Sequence, residues 1–278
     1  MVLCDKGIRE GVILDFIAKN APRLALEAEI PNVRLRGVLQ LARRCEYDEA
    51  HARQTARLAL ALYDQLSVGM DLHPSARELL EYGSLLHDIG YHVSYDGHHK
   101  HGWYLIENSE LYGFTPDEIE ILACLARYHR RRAPRKQDLW MRGLSKSGRR
   151  TIGVLTAILR VADALDHSHF EIVESLRANL SKKAVTLRIA ARSDPAMELW
   201  TARQKADLLA KVFGREVRIV EEARKTPAGV TRKKRSGRRA GRAGRVGRVA
   251  AAGRRLSKKP PREAPASRER YAAGSARA

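Results

Sequence analysis

The stretch Ser84-Leu85-Leu86-His87-Asp88-Ile89-Gly90 determines how the rest of this sequence is interpreted. It has the pattern of an apolar helix end that carries an imidazole next to a carboxylate. Gly90 then fits the end of the helix, where a left-handed residue is common. Because apolar residues flank His87 and Asp88, we expect both side chains at the edge of a core. An unpaired carboxylate there would cost free energy or shift its pKa. The stretch therefore predicts a partner for Asp88, and a divalent cation would serve.

Further metal ligands occur in helical surroundings along the chain. The order of these residues is His, His-Asp, His, His, Asp. A single histidine is more often a core or surface residue than a ligand, so the ordered set matters more than any member. We expect one ion to be held by four residues, namely His51, His87, Asp88 and Asp163.

A second ion is an alternative that the sequence leaves open. His101 and His129 would supply its ligands, with Asp88 bridging the two ions. His98 and His99 are expected to be loop residues that face substrate or solvent. Asp166, His167 and His169 could orient the ligands from behind.

The ordered set resembles the HD superfamily of metal-dependent phosphohydrolases. More narrowly, three segments resemble the C-terminal HD domain of exopolyphosphatase and guanosine pentaphosphatase proteins, the Ppx/GppA family. They are His98-His99-Lys100-His101 with Tyr104-Leu105-Ile106, Arg127-Tyr128-His129-Arg130, and Leu159-Arg160 with Ala162-Asp163-Ala164-Leu165-Asp166. The resemblance covers roughly residues 5–222. It implies a mainly α fold: an HD-domain helical bundle with a small C-terminal β-α-β appendage.

The start of the chain departs from the full-length family pattern. Asp5 and Arg9-Glu10-Gly11 resemble a segment that closes the second actin-like domain of exopolyphosphatases, yet here it lies almost at Met1. We therefore expect a chain without the actin-like domains on which the family's exopolyphosphatase activity depends. The resemblance implies a phosphohydrolase that acts on a nucleotide, a guanosine polyphosphate or polyphosphate. The rival interpretation is a non-catalytic regulatory protein that binds polyphosphate or nucleic acid.

The sequence pattern predicts four regions. These are an N-terminal helical segment (1–45), the HD domain (46–175), the appendage (176–222) and a tail (223–278). Alternating residues from Ala184 to Ala190 predict a strand. A helical stretch from Pro195 to Phe213 and a second strand from Glu216 to Val220 complete the expected β-α-β unit.

Positive charge is concentrated in the tail. The 278 residues carry a formal charge of +20, and residues 223–278 contain 19 basic against two acidic residues. Such a segment has too few apolar residues to form a core, so we expect it to be disordered. Nucleic acid is a reasonable partner for it, and a merely solubilising role is the alternative.

A second basic run, from Arg130 to Lys136, follows His129 directly. It is either a solvated loop or a phosphate clamp, since guanidinium groups bind phosphate oxygens in pairs. We assign catalytic roles to Asp88 through the metal and to Lys100, Arg127 and Arg130 through the charge of the phosphoryl group.

Imidazole and carboxylate ligands without thiolate suit Mn²⁺, Fe²⁺, Co²⁺, Ni²⁺, Zn²⁺ or Mg²⁺ and do not distinguish among them. Cys4, Cys45 and Cys124 have no CxxC spacing, which argues against a zinc ribbon or a disulfide framework. The sequence has no apolar run of membrane-spanning length, and residues 1–5 lack signal-peptide features. We expect a cytoplasmic protein with no membrane partner, and the sequence does not predict its oligomeric state.

Overall fold

The computed structural model describes residues 7–222, apart from Gly69, Lys136, Leu139, Trp140 and Arg142, and apart from the side chains of residues 20 and 22–29. The described part is mainly helical, as predicted, with a small sheet near its C-terminal end. Its helices are α1 (Ile8–Glu29), α2 (Val33–Arg44), α3 (Glu49–Leu66), α4 (Ala76–Leu86), α5 (His98–Glu107), α6 (Pro116–Tyr128), α7 (Lys146–Ala164), α8 (Ala196–Lys205) and α9 (Asp207–Phe213). A short 3-10 helix, Ile89–His92, lies between α4 and α5.

Side-chain caps fix the starts of three helices that carry site residues, α3, α6 and α7. The Asp48 carboxylate accepts a hydrogen bond from the His51 backbone N–H at 3.1 Å and so begins α3. Thr115 and Glu118 form a capping box at α6, with Pro116 at its first position. The Ser145 hydroxyl accepts a hydrogen bond from the Gly148 backbone N–H at 2.9 Å and so begins α7. Each of these starts sets the rotation of a helix whose later residues reach the centre.

Helices α3, α4, α6 and α7 enclose the core. Helix α7 contributes Leu155, Ile158 and Leu159, all fully buried. Burying each large aliphatic side chain contributes about 1.5–3 kcal/mol relative to exposure. Polar side chains on the inward faces of these helices are therefore held in a rigid frame.

Three strands form the sheet: β1 (Val173–Leu180), β2 (Ala184–Ala191) and β3 (Glu216–Glu221). Strands β2 and β3 are parallel, and α8 and α9 lie between them in the chain, so the predicted β-α-β unit is present. Strand β1, which the sequence analysis did not predict, pairs with β2 in antiparallel register. The Gln54 side chain donates to the Val173 carbonyl at 2.7 Å and thereby ties the sheet to α3.

Gly90 has a different role from the one expected. It lies within the 3-10 helix, and the left-handed glycines of the described residues are Gly97, Gly113 and Gly214. A Cβ atom at position 90 would overlap the backbone carbonyl of His98. Gly90 thus allows the 3-10 helix to pack directly against the start of α5.

No helix in the described part of the chain has both the length and the apolar content needed to cross a lipid bilayer.

Candidate metal centre

Three helices bring a first group of candidate metal ligands together. His51 lies on α3, His87 follows α4, and Asp163 is near the end of α7. The Oδ1 atom of Asp163 is 3.6 Å from His51 Nε2 and 3.8 Å from His87 Nε2. Both histidines are buried and the carboxylate is largely buried. This arrangement can hold one metal ion.

Asp88 connects this group to a second one. Its Oδ2 atom faces the first group, at 3.4 Å from His87 Nε2 and 4.0 Å from His51 Nε2. Its Oδ1 atom lies 3.4 Å from His98 Nε2 and 3.3 Å from His129 Nε2. Asp88, His98 and His129 could hold a second ion. One carboxylate therefore presents an oxygen to each group, which is the geometry that a bridging ligand requires.

Each histidine is oriented by a hydrogen bond from its other ring nitrogen. His87 Nδ1 donates to the Ser84 carbonyl at 2.7 Å, and His129 Nδ1 donates to the Ala126 carbonyl at 2.8 Å. His98 Nδ1 pairs with the Tyr95 carbonyl at 3.1 Å. A proton held on Nδ1 leaves the Nε2 lone pair available to a metal, as in metal-bound histidines generally.

His51 has a more elaborate surrounding. Its Nδ1 donates to Asp166 Oδ2 at 2.8 Å, and the His169 ring stacks on it with centroids 3.8 Å apart. His169 in turn donates to Asp48 at 2.9 Å. Asp166 and His169 therefore contact the His51 ring on the side away from Asp88 and Asp163, and His167 and His169 are both exposed.

The unpaired polar atoms of the centre fit a divalent cation. Among the described residues, His51 Nε2, His87 Nε2 and Asp88 Oδ1 are buried without a hydrogen-bond partner. Buried polar groups without partners are rare because each costs about 1–3 kcal/mol. An ion between these atoms would accept both lone pairs and neutralise the carboxylate.

The structure places His98, not His101, beside Asp88. His98 is the first residue of α5 and is buried, although the sequence analysis expected it in a loop. His101 is half-buried on the next turn and belongs to neither group. Positions three residues apart share a helix face, so the sequence pattern fits either histidine.

Lys205 is a site residue that the sequence analysis did not identify. Its Nζ donates to Asp163 Oδ2 at 2.6 Å from the end of α8. Asp207, two residues later, pairs with Arg160 of α7 at 3.3 Å. Arg160 also donates to the Arg131 carbonyl at 3.0 Å, just beyond His129. The appendage is therefore part of the centre, and no motif in the sequence indicates this long-range pairing.

The surroundings shift the pKa values of these groups in different directions. Burial lowers the pKa of His87 to about 4, so this ring is neutral. Burial also opposes charge on His51, but Asp163 and Asp166 outweigh it and raise the pKa of His51 to about 10. Burial would raise the pKa of Asp163, yet the Lys205 ammonium and His51 hold it well below its usual range. The carboxylate is ionised, as a metal ligand must be.

A basic cavity is lined by residues that directly follow His98 and His129 in the chain, His99 and Arg130 among them. Its volume is about 320 Å³. Arg132 in its wall is fixed by Asp138 at 2.7 Å. The lining includes three residues that the sequence analysis selected for phosphate binding, Lys100, Arg127 and Arg130, together with His99, Tyr128, Arg131 and Arg132. We name this cavity the basic pocket.

A second cavity, of about 250 Å³, opens onto the first group. Its lining includes His51, His87 and Asp88. The Tyr91 ring in its wall stacks on the His98 ring with centroids 4.0 Å apart. Tyr47, Asp48, Glu46 and His169 line it as well. We name this cavity the aromatic pocket.

A family comparison agrees with the resemblance seen in the sequence. The family described as Ppx/GppA phosphatase, domain III, matches residues 33–206. The matched segment is more than half of the chain and contains both groups of ligands, Lys205 and the basic pocket. The chain therefore belongs to the Ppx/GppA phosphatase family, in the part described as domain III.

Proposed function

We propose that this protein is a metal-dependent phosphohydrolase of the HD type that cleaves a phosphoester or phosphoanhydride. The observation that supports this most directly is the position of Asp88, whose two oxygens face two separate groups of histidines. A bridging carboxylate is needed for two ions about 3.5–4 Å apart. His51, His87, Asp88 and Asp163 would hold one ion, and Asp88, His98 and His129 would hold the other.

Divalent ions bound there would lower the pKa of water and polarise a phosphoryl oxygen. The protein's own residues would orient the reactants. Asp166 keeps the His51 ring in place, and Lys205 holds one oxygen of Asp163 so that the other faces the histidines. Imidazole and carboxylate ligands suit Mn²⁺, Fe²⁺, Co²⁺, Ni²⁺, Zn²⁺ or Mg²⁺.

Hydrolysis joins a water oxygen to phosphorus and breaks the bond between phosphorus and the leaving oxygen. The leaving oxygen gains negative charge as this bond breaks. Arg130, Arg127 and Lys100 line the basic pocket and would stabilise such charge. We infer that these three cations bind the phosphoryl groups of a substrate.

Other expectations from the sequence remain proposals. They include a cytoplasmic location and the four region boundaries. The predicted disorder and nucleic-acid binding of the basic tail concern residues 223–278, which lie outside the described residues. The non-catalytic alternative predicts binding without turnover, so a measurement of turnover decides between it and hydrolysis.

The test is phosphate release by the purified full chain supplied with Mn²⁺ and a panel of nucleotides, guanosine polyphosphates and polyphosphate. Asp88→Asn keeps the shape of the side chain but removes the bridging charge, so we expect at least a 100-fold loss of turnover. Asp96→Asn, in an exposed turn near the site, is the matched control and should retain activity. If the metal-loaded protein turned over no substrate in the panel, the result would favour the alternative of a non-catalytic protein that binds polyphosphate or nucleic acid.

A further inference from the structure

A third cavity lies between the first part of α7 and α9. Its volume is about 770 Å³, more than twice that of the basic pocket. Cavities that enclose a whole small molecule usually measure about 300–1,000 Å³, so this one is large enough for such a ligand. Its lining includes none of the candidate metal ligands and no residue of the basic or the aromatic pocket. We name it the α7–α9 cleft.

The buried part of the cleft lining is apolar. Met141 and Leu208 are buried there, and Pro134 and Val212 are partly buried. Gly153 of α7 also lines the cleft, and a Cβ atom at this position would have no other atom within 4 Å. The cleft therefore stays open along α7, and its apolar lining favours a ligand with an apolar body.

The charged part of the lining is entirely positive among the described residues. Lys146, Arg149 and Arg150 of α7 and Lys211 of α9 line the cleft. Lys146, Arg150 and Lys211 are exposed, and within the described part of the chain they form no ion pair. Asp207, one turn before Lys211, pairs with Arg160 instead, at 3.3 Å. These cations are available to an anion.

The cations at the start of α7 run against the usual preference of helices. The first turn of a helix favours acidic residues, because the free backbone N–H groups create a positive potential there. The first turn of α7 has no acidic residue, and it contains Lys146 and Arg149, with Arg150 next. Positions three and four apart share a helix face. The arrangement is unfavourable for the free protein and becomes favourable when an anion is bound.

Both walls of the cleft are held in place. The Arg149 guanidinium donates to the Leu144 carbonyl and so fixes the segment that leads into α7. The Asp207–Arg160 ion pair joins α9 to α7 on the other side. Leu208 and Leu209 anchor α9 in the core. The cleft is therefore formed before a ligand binds.

We propose that the α7–α9 cleft binds a small organic dianion that has an apolar body and a phosphate-like head. The body packs on Met141, Leu208 and Val212, and the head pairs with the exposed cations of the lining. Three unpaired cations exceed the charge of a monoanion, which is why a dianionic head fits. Because the cleft shares no residue with the metal centre, this binding is independent of the proposed hydrolysis.

Three probes separate the two parts of the ligand: benzylphosphonate, methylphosphonate and benzyl alcohol. Each is titrated by calorimetry into the metal-loaded full chain at one salt concentration. Methylphosphonate reports binding of the head alone, including any at the metal centre or the basic tail. Since burial of a phenyl ring contributes roughly a tenfold gain in affinity or more, benzylphosphonate should bind about tenfold more tightly than methylphosphonate. It should also exceed benzyl alcohol. Equal affinity for benzylphosphonate and either other probe would overturn the proposal.

A charge variant assigns the head. Lys146→Gln/Lys211→Gln removes one exposed cation from each wall and should lower benzylphosphonate affinity several-fold. Lys182→Gln/Lys183→Gln removes the same charge from the exposed β1–β2 turn and should not change it. If the two double variants bound benzylphosphonate equally well, the cleft would not be the anion site.

A steric variant assigns the body. Gly153→Leu adds a side chain to the cleft wall at a position with open space, so it should abolish the advantage of benzylphosphonate over methylphosphonate. Leucine favours helix over glycine, so the fold should be kept, and circular dichroism checks this. Gly11→Leu, at a position in α1 with the same open space, is the matched control. An undiminished advantage in a folded Gly153→Leu protein would place the ring elsewhere and contradict the proposal.

Discussion

Each of the four histidines near Asp88 has one ring nitrogen bound to a carbonyl or carboxylate and the other directed at the carboxylates of the centre. For His87 and His129 the acceptor is the carbonyl three residues earlier, so the helix itself orients the ring. His51 instead uses a carboxylate, Asp166. The Asp163 and Asp166 carboxylates together give His51 the highest proton affinity of the histidines of the centre whose pKa values are shifted.

Metal binding should therefore release a proton from His51. Its pKa is about 10, so at pH 8 the metal-free ring is protonated, and coordination requires the neutral ring. His87, with a pKa of about 4, has no proton to release. Metal affinity should thus rise with pH until about pH 10. Calorimetry of metal binding at pH 8, in two buffers of different ionisation enthalpy, should show that about one proton is released for each ion bound at His51.

Asp166→Asn is the informative variant for this prediction. It removes one of the three carboxylates that raise the pKa of His51, which are Asp163, Asp166 and Asp88, so the number of protons released at pH 8 should fall. A heat of binding that does not depend on the buffer in the wild type would show that His51 is already neutral.

Lys205 should stabilise the metal-free protein more than the metal-loaded one. Lys205→Met leaves the largely buried Asp163 carboxylate without its cation, which should cost about 2–3 kcal/mol, less than a fully buried pair because Lys205 is partly exposed. A bound ion would compensate that charge. Denaturant unfolding, in chelator and in excess Mn²⁺, measures the free energy of unfolding.

Lys211→Met, on the exposed side of α9, is the control and should have little effect in either condition. Lys205→Arg should keep most of the stability. If Lys205→Met lowered the free energy of unfolding equally with and without metal, the ion pair would have a purely structural role.

At the scale of elements, the centre lies where the ends of several helices meet. His87 and Asp88 follow α4, His98 begins α5, and His129 follows α6. The motifs allowed His51, His87, Asp88, His129 and Asp163 to be selected from the sequence. The motifs did not show whether His98 or His101 lies beside Asp88. This choice depends on where α5 starts and on how closely α5 packs against the 3-10 helix.

Gly90 controls that packing, so Gly90→Ala should move α5 away from Asp88. The added Cβ would overlap the backbone of His98 and cannot be relieved by a side-chain rotation. We expect destabilisation of about 1–3 kcal/mol and loss of the ion held by His98 and His129. Metal analysis and thermal unfolding measure both effects.

The control for this substitution is Gly153→Ala in α7, where a Cβ would have no atom within 4 Å. It should be neutral or stabilising, since alanine favours helix by up to about 1 kcal/mol over glycine. Full metal content in Gly90→Ala would show that α5 tolerates the displacement.

At the scale of the whole molecule, the β-α-β unit belongs to the site as much as the helices do. The sequence predicts this unit from alternation and helical periodicity, but it does not predict that Lys205 reaches Asp163, 42 positions away. Such a contact depends on how α8 packs on α7, which local patterns do not encode. Strand β1 was not predicted because its buried and exposed residues do not alternate regularly.

Metal analysis of matched variants tests most directly whether the centre holds two ions that share Asp88. The full chain, reconstituted with Mn²⁺ and freed of excess metal, should contain two ions per chain. His98→Ala should contain one, and His101→Ala, on the same helix, should still contain two. A wild-type content of one ion or none, or a loss in His101→Ala with full content in His98→Ala, would contradict the account.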